Sequence, residues 1–425
     1  MKRNLSLLSS RYMREHLTNY KRYQDSKYTQ GLDSYTEPQG SYYLPRFFVL
    51  VCLCLLLSVP TLAYGDNHMG IEAKAALLME PTTGVVLYEH NAHEPLAPAS
   101  VTKVMTMLLI YEAVDSGKIS WDDPVTISEH AANMGGSQIF LEAGQTQHVR
   151  DLTKSISIAS ANDAAVAMAE HIAGSEEGFV TLMNQRAAAL GMTNTTFKNA
   201  CGLDAPGHVT TAYDIALMSG ALITQFPEVS ETALIWMDDI THTTRRGSET
   251  FGLTNTNKMI RSYTGITGLK TGSTGMAKFC MSATAQREGM ALVSVILGAD
   301  TGKIRFREAG RLLDYGYANY GILQGEPVGT PKGLVTIHKG VADEVEIVVA
   351  GQVNALINKG DSTELTSVIE TVEAVVAPVT AGSKAGEIIY LQNNQEVGRA
   401  DLVVSMDVAK AGLGYMIQKL FRNWH

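Results

Sequence analysis

The sequence predicts an α+β protein in which helices flank a sheet, a small all-β domain follows, and an amphipathic helix closes the chain. Three observations predict it. Strand-like apolar runs stand on both sides of a helical middle, the residues after about Gly325 turn to short Val/Ile runs, and the last residues carry one continuous apolar stripe.

The elements follow in order. Residues 75–79 and 85–88 are apolar runs around Pro81-Thr-Thr-Gly84, the pattern of a β-hairpin. From Ser100 to about Ser116 apolar residues recur at helical spacing and stop at Gly117. A second helical stretch is expected over residues 151–172, ending at Gly174. Strands are expected at 266–271, 279–283 and 290–297. Residues 334–405 alternate in short runs such as Val345-Glu-Ile-Val-Val-Ala350, with glycines between them, as a separate β domain would. Leu413, Met416, Ile417, Leu420, Phe421 and Trp424 then fall on one helical face, with Gln418, Lys419, Arg422 and Asn423 opposite. Such a helix suits a membrane interface, or equally a docked position on the β domain. The resulting division is 1–65 as N-terminal extension and signal peptide, 66–325 as catalytic domain, 326–408 as β domain and 409–425 as terminal helix.

Composition narrows the function. The chain has 425 residues, is 45% hydrophobic and 18% charged, and carries a net charge of −9, which leaves no basic surface for nucleic acid. Residues 1–63 hold eight Lys/Arg and four Asp/Glu, so the remainder stands at −13 against the overall −9. Behind Arg46 lies the apolar run 47–57, then Pro60 and Thr61-Leu-Ala63. That is the length of a secretory h-region and short of the ~20 residues that span a bilayer. Cleavage is expected near Ala63 or Gly65, with an upstream start codon (Met13 being the alternative start) or an uncleaved anchor as explanations for the long segment before it. Cys52 and Cys54 lie in the h-region; Cys201 and Cys280 remain, read as two buried thiols although export would permit a bond.

Three short motifs carry chemistry. Ser100-Val-Thr-Lys103 places a hydroxyl and an amine one helical turn apart, so that a neutral lysine, made so by burial and a nearby cation, could take the serine's proton. Ser160-Ala-Asn162 offers a hydroxyl to relay a proton and an amide to hold a peptide group, and alone reads as a helix cap. Lys270-Thr-Gly272 offers a cation for a carboxylate and a glycine that lets a backbone approach. Each motif alone says little.

Their order says more. Ser-x-x-Lys, Ser-x-Asn and Lys-Thr-Gly in this sequence resemble the penicillin-recognising serine enzymes, the β-lactamases and penicillin-binding proteins. Met134-Gly-Gly-Ser-Gln-Ile-Phe-Leu141, Ala159-Ser-Ala-Asn-Asp-Ala-Ala165, Asn199-Ala-Cys-Gly-Leu-Asp204 and Gly207-His-Val-Thr-Thr-Ala-Tyr-Asp214 narrow the likeness to low-molecular-mass D-alanyl-D-alanine carboxypeptidases, over roughly residues 70–425. The resemblance implies a β-lactamase/transpeptidase-like catalytic domain. It implies Ser100 as nucleophile, Lys103 as general base and Ser160 as proton relay. Asn162, Lys270, Thr271 and Arg305 would bind substrate, with Arg307 a close competitor of Arg305. Gly272 would admit the substrate backbone, and the N–H groups of Ser100 and Ser273 would form the oxyanion hole. No metal or cofactor is implied. The implied partners are the peptidoglycan stem peptide, β-lactams as inhibitors, and a membrane surface through the terminal helix, on the outer face of the cytoplasmic membrane, in the cell wall or in the periplasm.

Other chemistries fit less well. A class A β-lactamase needs a glutamate that 190–215 lacks, and has no C-terminal β domain. A transpeptidase differs only in its acceptor, and the single small catalytic domain favours hydrolysis. Glu89-His-Asn-Ala-His93-Glu94 is not the zinc-peptidase pattern, and Thr271-Gly-Ser-Thr-Gly275 lacks the first glycine of a nucleophile elbow. A non-catalytic wall-binding protein is disfavoured because every motif residue is present.

Overall fold

A computed structural model describes residues 69–422, except 245–246 and 361–364. The expected signal segment and Trp424 lie outside the described residues. Strands β1 (Ala75–Glu80) and β2 (Val85–His90) form the expected hairpin. A 3-10 turn, Ala99–Thr102, runs into α1 (Lys103–Asp115), where the periodicity had predicted one α-helix from Ser100. The short pair β3 (Pro124–Thr126) and β4 (Thr146–His148) brackets α2 (Glu129–Ala132).

The helix expected over 151–172 is two: α3 (Val149–Ile158) and α4 (Asn162–Ala173). Ser160 breaks it with a left-handed backbone, φ 61°, and the chain restarts when Asn162 N–H donates to Ser137 O at 2.7 Å. Apolar periodicity could not reveal this, because Ile158, Ala161 and Ala164 stay buried on both sides of the break. Then come α5 (Glu176–Ala189), α6 (Ala212–Gln225), α7 (Val229–Ala233) and the hairpin β5 (Met237–Thr244) and β6 (Gly247–Thr254). Strands β7 (Ile266–Thr274), β8 (Lys278–Arg287) and β9 (Met290–Ala299) precede α8 (Gly302–Asn319).

The main sheet is ordered β2-β1-β9-β8-β7, so the first and last strands of the catalytic region meet at β1 and β9. Period-two alternation fixes its two faces. Ala75, Leu77, Met79, Val293, Val295 and Leu297 pack with the helical middle. Ala76, Leu78, Leu292 and Ile296 pack with Ala309, Leu312 and Leu313 of α8. Both faces are therefore covered, which is why β1 and β9 read as continuous apolar runs rather than alternating ones. Helix α1 is apolar on nearly all sides because it is buried among other helices, and Lys103 goes under with it.

After α8, β10 (Tyr320–Gln324) pairs with β13 (Asn354–Asn358). Strands β11 (Pro331–His338), β12 (Glu344–Val349), β14 (Leu365–Thr371), β15 (Ala374–Val376), β16 (Lys384–Gln392) and β17 (Gln395–Val404) form a sheet ordered β14-β16-β17-β12-β11-β15. Its own core gathers Val335, Ile337, Ile347, Ile388 and Leu402. Helix α9 (Leu413–Arg422) ends the described chain, with Leu413 and Ile417 exposed.

Candidate active site

Ser100 sits on the 3-10 turn. Residues i and i+3 of such a turn eclipse one another, so Lys103 stands directly beside it. Lys103 Nζ lies 3.1 Å from Ser100 Oγ, 2.6 Å from Asn162 Oδ1 and 2.7 Å from Cys201 O. Ser100 is partly exposed while Lys103 is wholly buried. Burial lowers the lysine's pKa to about 8, against the smaller pull of Cys201 and Asp163 in the other direction. The sequence leads one to expect a neighbouring cation to help, but burial alone brings the lowering about.

Asn162 is the first residue of α4 and also nearly buried. Its Oδ1 accepts from Lys103, and its Nδ2 donates to Gly135 O at 2.6 Å, leaving one N–H over. Ser160 is 4% exposed, and its hydroxyl makes no hydrogen bond among the described residues. Gly136 packs so closely that a Cβ there would stand 2.7 Å from Asn162 Nδ2.

Strand β7 closes the other side. A Cβ on Gly272 would come within 2.7 Å of Ser100 N and 2.9 Å of Val101 N, so only glycine lets the strand lie against the Ser100 turn. Lys270 is buried, and among the described residues its Nζ donates only to Thr271 O, at 3.0 Å. Burial first, then the Lys103 and Arg305 cations, hold it well below the usual lysine range. Thr271 Oγ1 donates to Thr256 Oγ1 at 2.7 Å, and Ser273 follows with an exposed side chain.

Arg305 and Arg307 are separated plainly. Arg305 is buried over Phe279 and Phe306, and its Nη1 donates to Gly272 O and Cys280 O at 3.1 and 3.2 Å. Its Nε is buried with no partner among the described residues. Arg307 instead points outward to Glu72. Cys201 and Cys280 are both buried and free, as expected.

Sequence reasoning missed several groups. The carbonyls of Gly135 and Cys201 hold Asn162 and Lys103, yet backbone oxygens leave no mark on a sequence. Asp163, next to Asn162, accepts from the N–H groups of Ile139 and Leu141 and fixes the 135–141 loop. Asp204 receives Thr274 Oγ1 and ties the loop of Cys201 to the end of β7. Among the described residues no cluster of side chains could hold a metal ion.

A sheet covered on both faces, with a serine and a buried lysine on one short turn against the strand that carries a second buried lysine, defines a serine hydrolase of the acyl-enzyme type. The comparisons give that class its family. Residues 63–301 match the family described as D-alanyl-D-alanine carboxypeptidase, and residues 324–410 match the C-terminal domain of penicillin-binding protein 5. The chain belongs to this D-alanyl-D-alanine carboxypeptidase family. It is 39% identical to D-alanyl-D-alanine carboxypeptidase DacF of Bacillus subtilis over 359 residues, covering 84% of this chain and 91% of that one. Against DacC of Escherichia coli the identity is 36%, covering 84% and 90%. Penicillin-binding protein 5 from Haemophilus influenzae superposes with a TM-score of 0.67 at 30% identity, covering 80% of this chain and 98% of that one.

Proposed function

We propose that this protein removes the terminal D-alanine from peptidoglycan stem pentapeptides through an acyl-enzyme on Ser100. The observation that carries it is the hydrogen-bond set of Lys103. A neutral amine has two N–H donors and one lone pair. Asn162 Oδ1 and Cys201 O can only accept, so they take the two N–H groups and the lone pair is left for the Ser100 hydroxyl.

The steps follow from that arrangement. Ser100 Oγ attacks the carbonyl between the two D-alanines as its proton passes to Lys103 Nζ. The N–H groups of Ser100 and Ser273 receive the developing oxyanion. Ser160 relays the proton to the departing D-alanine nitrogen, and the free N–H of Asn162 holds the substrate amide. Lys270, Thr271 and Arg305 take the terminal carboxylate. That anion would offset the cations and burial that depress Lys270, and so restore its charge. Gly272 admits the substrate backbone, and water then frees the acyl-serine. A β-lactam would acylate Ser100 as the dipeptide does and leave slowly.

Two segments support a place of action outside the cytoplasm. Residues 47–57 direct export, and the catalytic, β and terminal segments work outside the cytoplasmic membrane. Helix α9 rests on that membrane by the face bearing Leu413 and Ile417, and no described helix is long and apolar enough to cross it.

Labelling of the purified protein with a fluorescent penicillin, repeated on Ser100→Ala, tests the acyl-serine. Labelling lost in the variant is expected; a folded wild type that takes no label overturns the reading. Transfer of the acyl group to water, giving the shortened peptide acid, rather than to an added amine acceptor, giving a new amide, identifies the hydrolysis, because D-alanine leaves in either case. Removal of residues 411–425 followed by a carbonate wash tests the anchor, and undiminished membrane retention would sink it.

A further inference from the structure

His208 lies 106 residues from the nucleophile turn in sequence and touches it directly. Its Nε2 is 3.0 Å from Thr102 Oγ1, and Thr102 stands between Ser100 and Lys103. On its other side, the backbone N–H of Lys198 donates to His208 Nδ1 at 3.3 Å. A ring nitrogen that accepts carries no proton, so the hydrogen is on Nε2 and is given to Thr102. His208 is 3% exposed, with the edge of Phe197 against its ring.

The residues around it explain why that tautomer matters. The loop Lys198–Leu203 is pressed onto the turn so tightly that a Cβ on Gly202 would stand 1.9 Å from Ala99 O and 2.9 Å from Thr102 Oγ1. The same loop supplies Cys201 O to Lys103 Nζ, while Thr106 Oγ1 donates to Ala200 O at 2.6 Å. Ala99 is held at φ 49°, a left-handed backbone that a non-glycine residue keeps only under surrounding constraint. His208, from outside both segments, ties the loop through Lys198 and the turn through Thr102.

We infer that His208 is a positioning residue for the acyl-transfer reaction, a neutral imidazole that sets the separation between the Ser100–Lys103 turn and the loop whose carbonyl orients Lys103. It touches neither substrate nor reacting atoms. It acts by keeping the lysine lone pair aimed at Ser100, since a tilt of the turn relative to Cys201 O would redirect it. The inference rests on the acyl-serine reading above.

Two replacements divide the imidazole between them. Glutamine carries a donor near the place of Nε2, and asparagine an acceptor near the place of Nδ1. The test measures the rate constant of acylation by fluorescent penicillin, and separately the dissociation constant of the non-covalent complex, on the full chain well below each variant's Tm. His208→Asn and Thr102→Val are each expected to slow acylation about tenfold with the dissociation constant unchanged, and the double variant to be no slower than the slower single one. His208→Gln is expected to stay within about threefold of wild type. Rates that multiply in the double variant, or a His208→Asn enzyme as fast as wild type, overturn the inference while wild-type labelling leaves the acyl-serine standing. A wild type that takes no label overturns both.

Discussion

Lys103 Nζ lies 3.1 Å from Ser100 Oγ while both of its other neighbours, Asn162 Oδ1 and Cys201 O, are acceptors without a proton to give. The amine is therefore a base toward the serine only in its neutral form. Its pKa is lowered to about 8, chiefly by burial. Below that value the amine holds a third proton and has no lone pair. Acylation by penicillin is thus expected to rise with pH through about 8 and then level off. Lys103→Arg keeps the charge and removes the base, and should slow acylation by on the order of 10² to 10⁴. A stopped-flow pH profile of the acylation rate constant decides it; a flat profile between about pH 6 and pH 9 contradicts the role.

Arg305 and Arg307 are two residues apart on α8 and should behave oppositely. Arg305 presents Nη1 to Gly272 O and Cys280 O from a buried position, whereas Arg307 makes an exposed ion pair with Glu72. Arg307→Ala is expected to change stability by about 0–1 kcal/mol and leave kcat/KM alone. Arg305→Ala leaves the end of β7 without its donor and, on the proposed function, the substrate carboxylate without a fork. It should raise KM for the pentapeptide at least tenfold, by the usual strength of a charge-assisted hydrogen bond, about 1.5–3 kcal/mol. Equal KM values for the two variants would return Arg307 to consideration.

Much of this was legible in the sequence, for a physical reason. Side chains proposed to do chemistry must be particular residue types, so Ser100, Lys103, Asn162 and Lys270 stand out once their order is noticed. The two-faced sheet was legible too, because strands buried on both sides have nothing polar to alternate with. The illegible parts are of two kinds. Backbone groups such as Cys201 O and Gly135 O can belong to any residue. Long-range partners such as Thr256 for Thr271, or His208 for Thr102, are brought together only by the tertiary fold. The break at Ser160 belongs with them, since no helix-breaking residue marks it and the bond that accompanies it, Asn162 N–H to Ser137 O, forms only in the fold.

Gly202 should tolerate no side chain. It has φ 88°, and a Cβ would stand 1.9 Å from Ala99 O. Gly191 is the control, with a similar φ of 77° and nothing within 4 Å of the same position. Gly191→Ala bears only the left-handed backbone cost, about 1 kcal/mol. Gly202→Ala adds an overlap with backbone that cannot swing away, and should cost at least about 2 kcal/mol more. Urea midpoints for the two variants measure the difference, and equal midpoints would mean the loop yields more easily than its contacts imply.

His208 also makes the fold sensitive to acid, and the sign is fixed by its surroundings. Burial lowers its pKa from 6.5 to about 4, with Asp204 raising it and Lys198 lowering it further by smaller amounts. Between those two values the unfolded chain binds a proton that the native protein refuses. Stability therefore rises with pH across that window and is lost as pH falls from about 6.5 toward 4, by at most roughly 3.5 kcal/mol at about 1.4 kcal/mol per unit. Asp163 works the other way, because burial raises its pKa and the native state gains a proton first on acidification. Comparing wild type with His208→Gln cancels that opposing contribution, since Asp163 is common to both. The variant, with nothing to titrate at 208, should lose less stability than wild type between about pH 7 and pH 5, read as a smaller shift in urea midpoint. Parallel midpoint curves for the two proteins would mean that His208 accepts its proton in the native state as readily as in the unfolded one, and that the hydrogen bond to Lys198 N–H does not hold its tautomer.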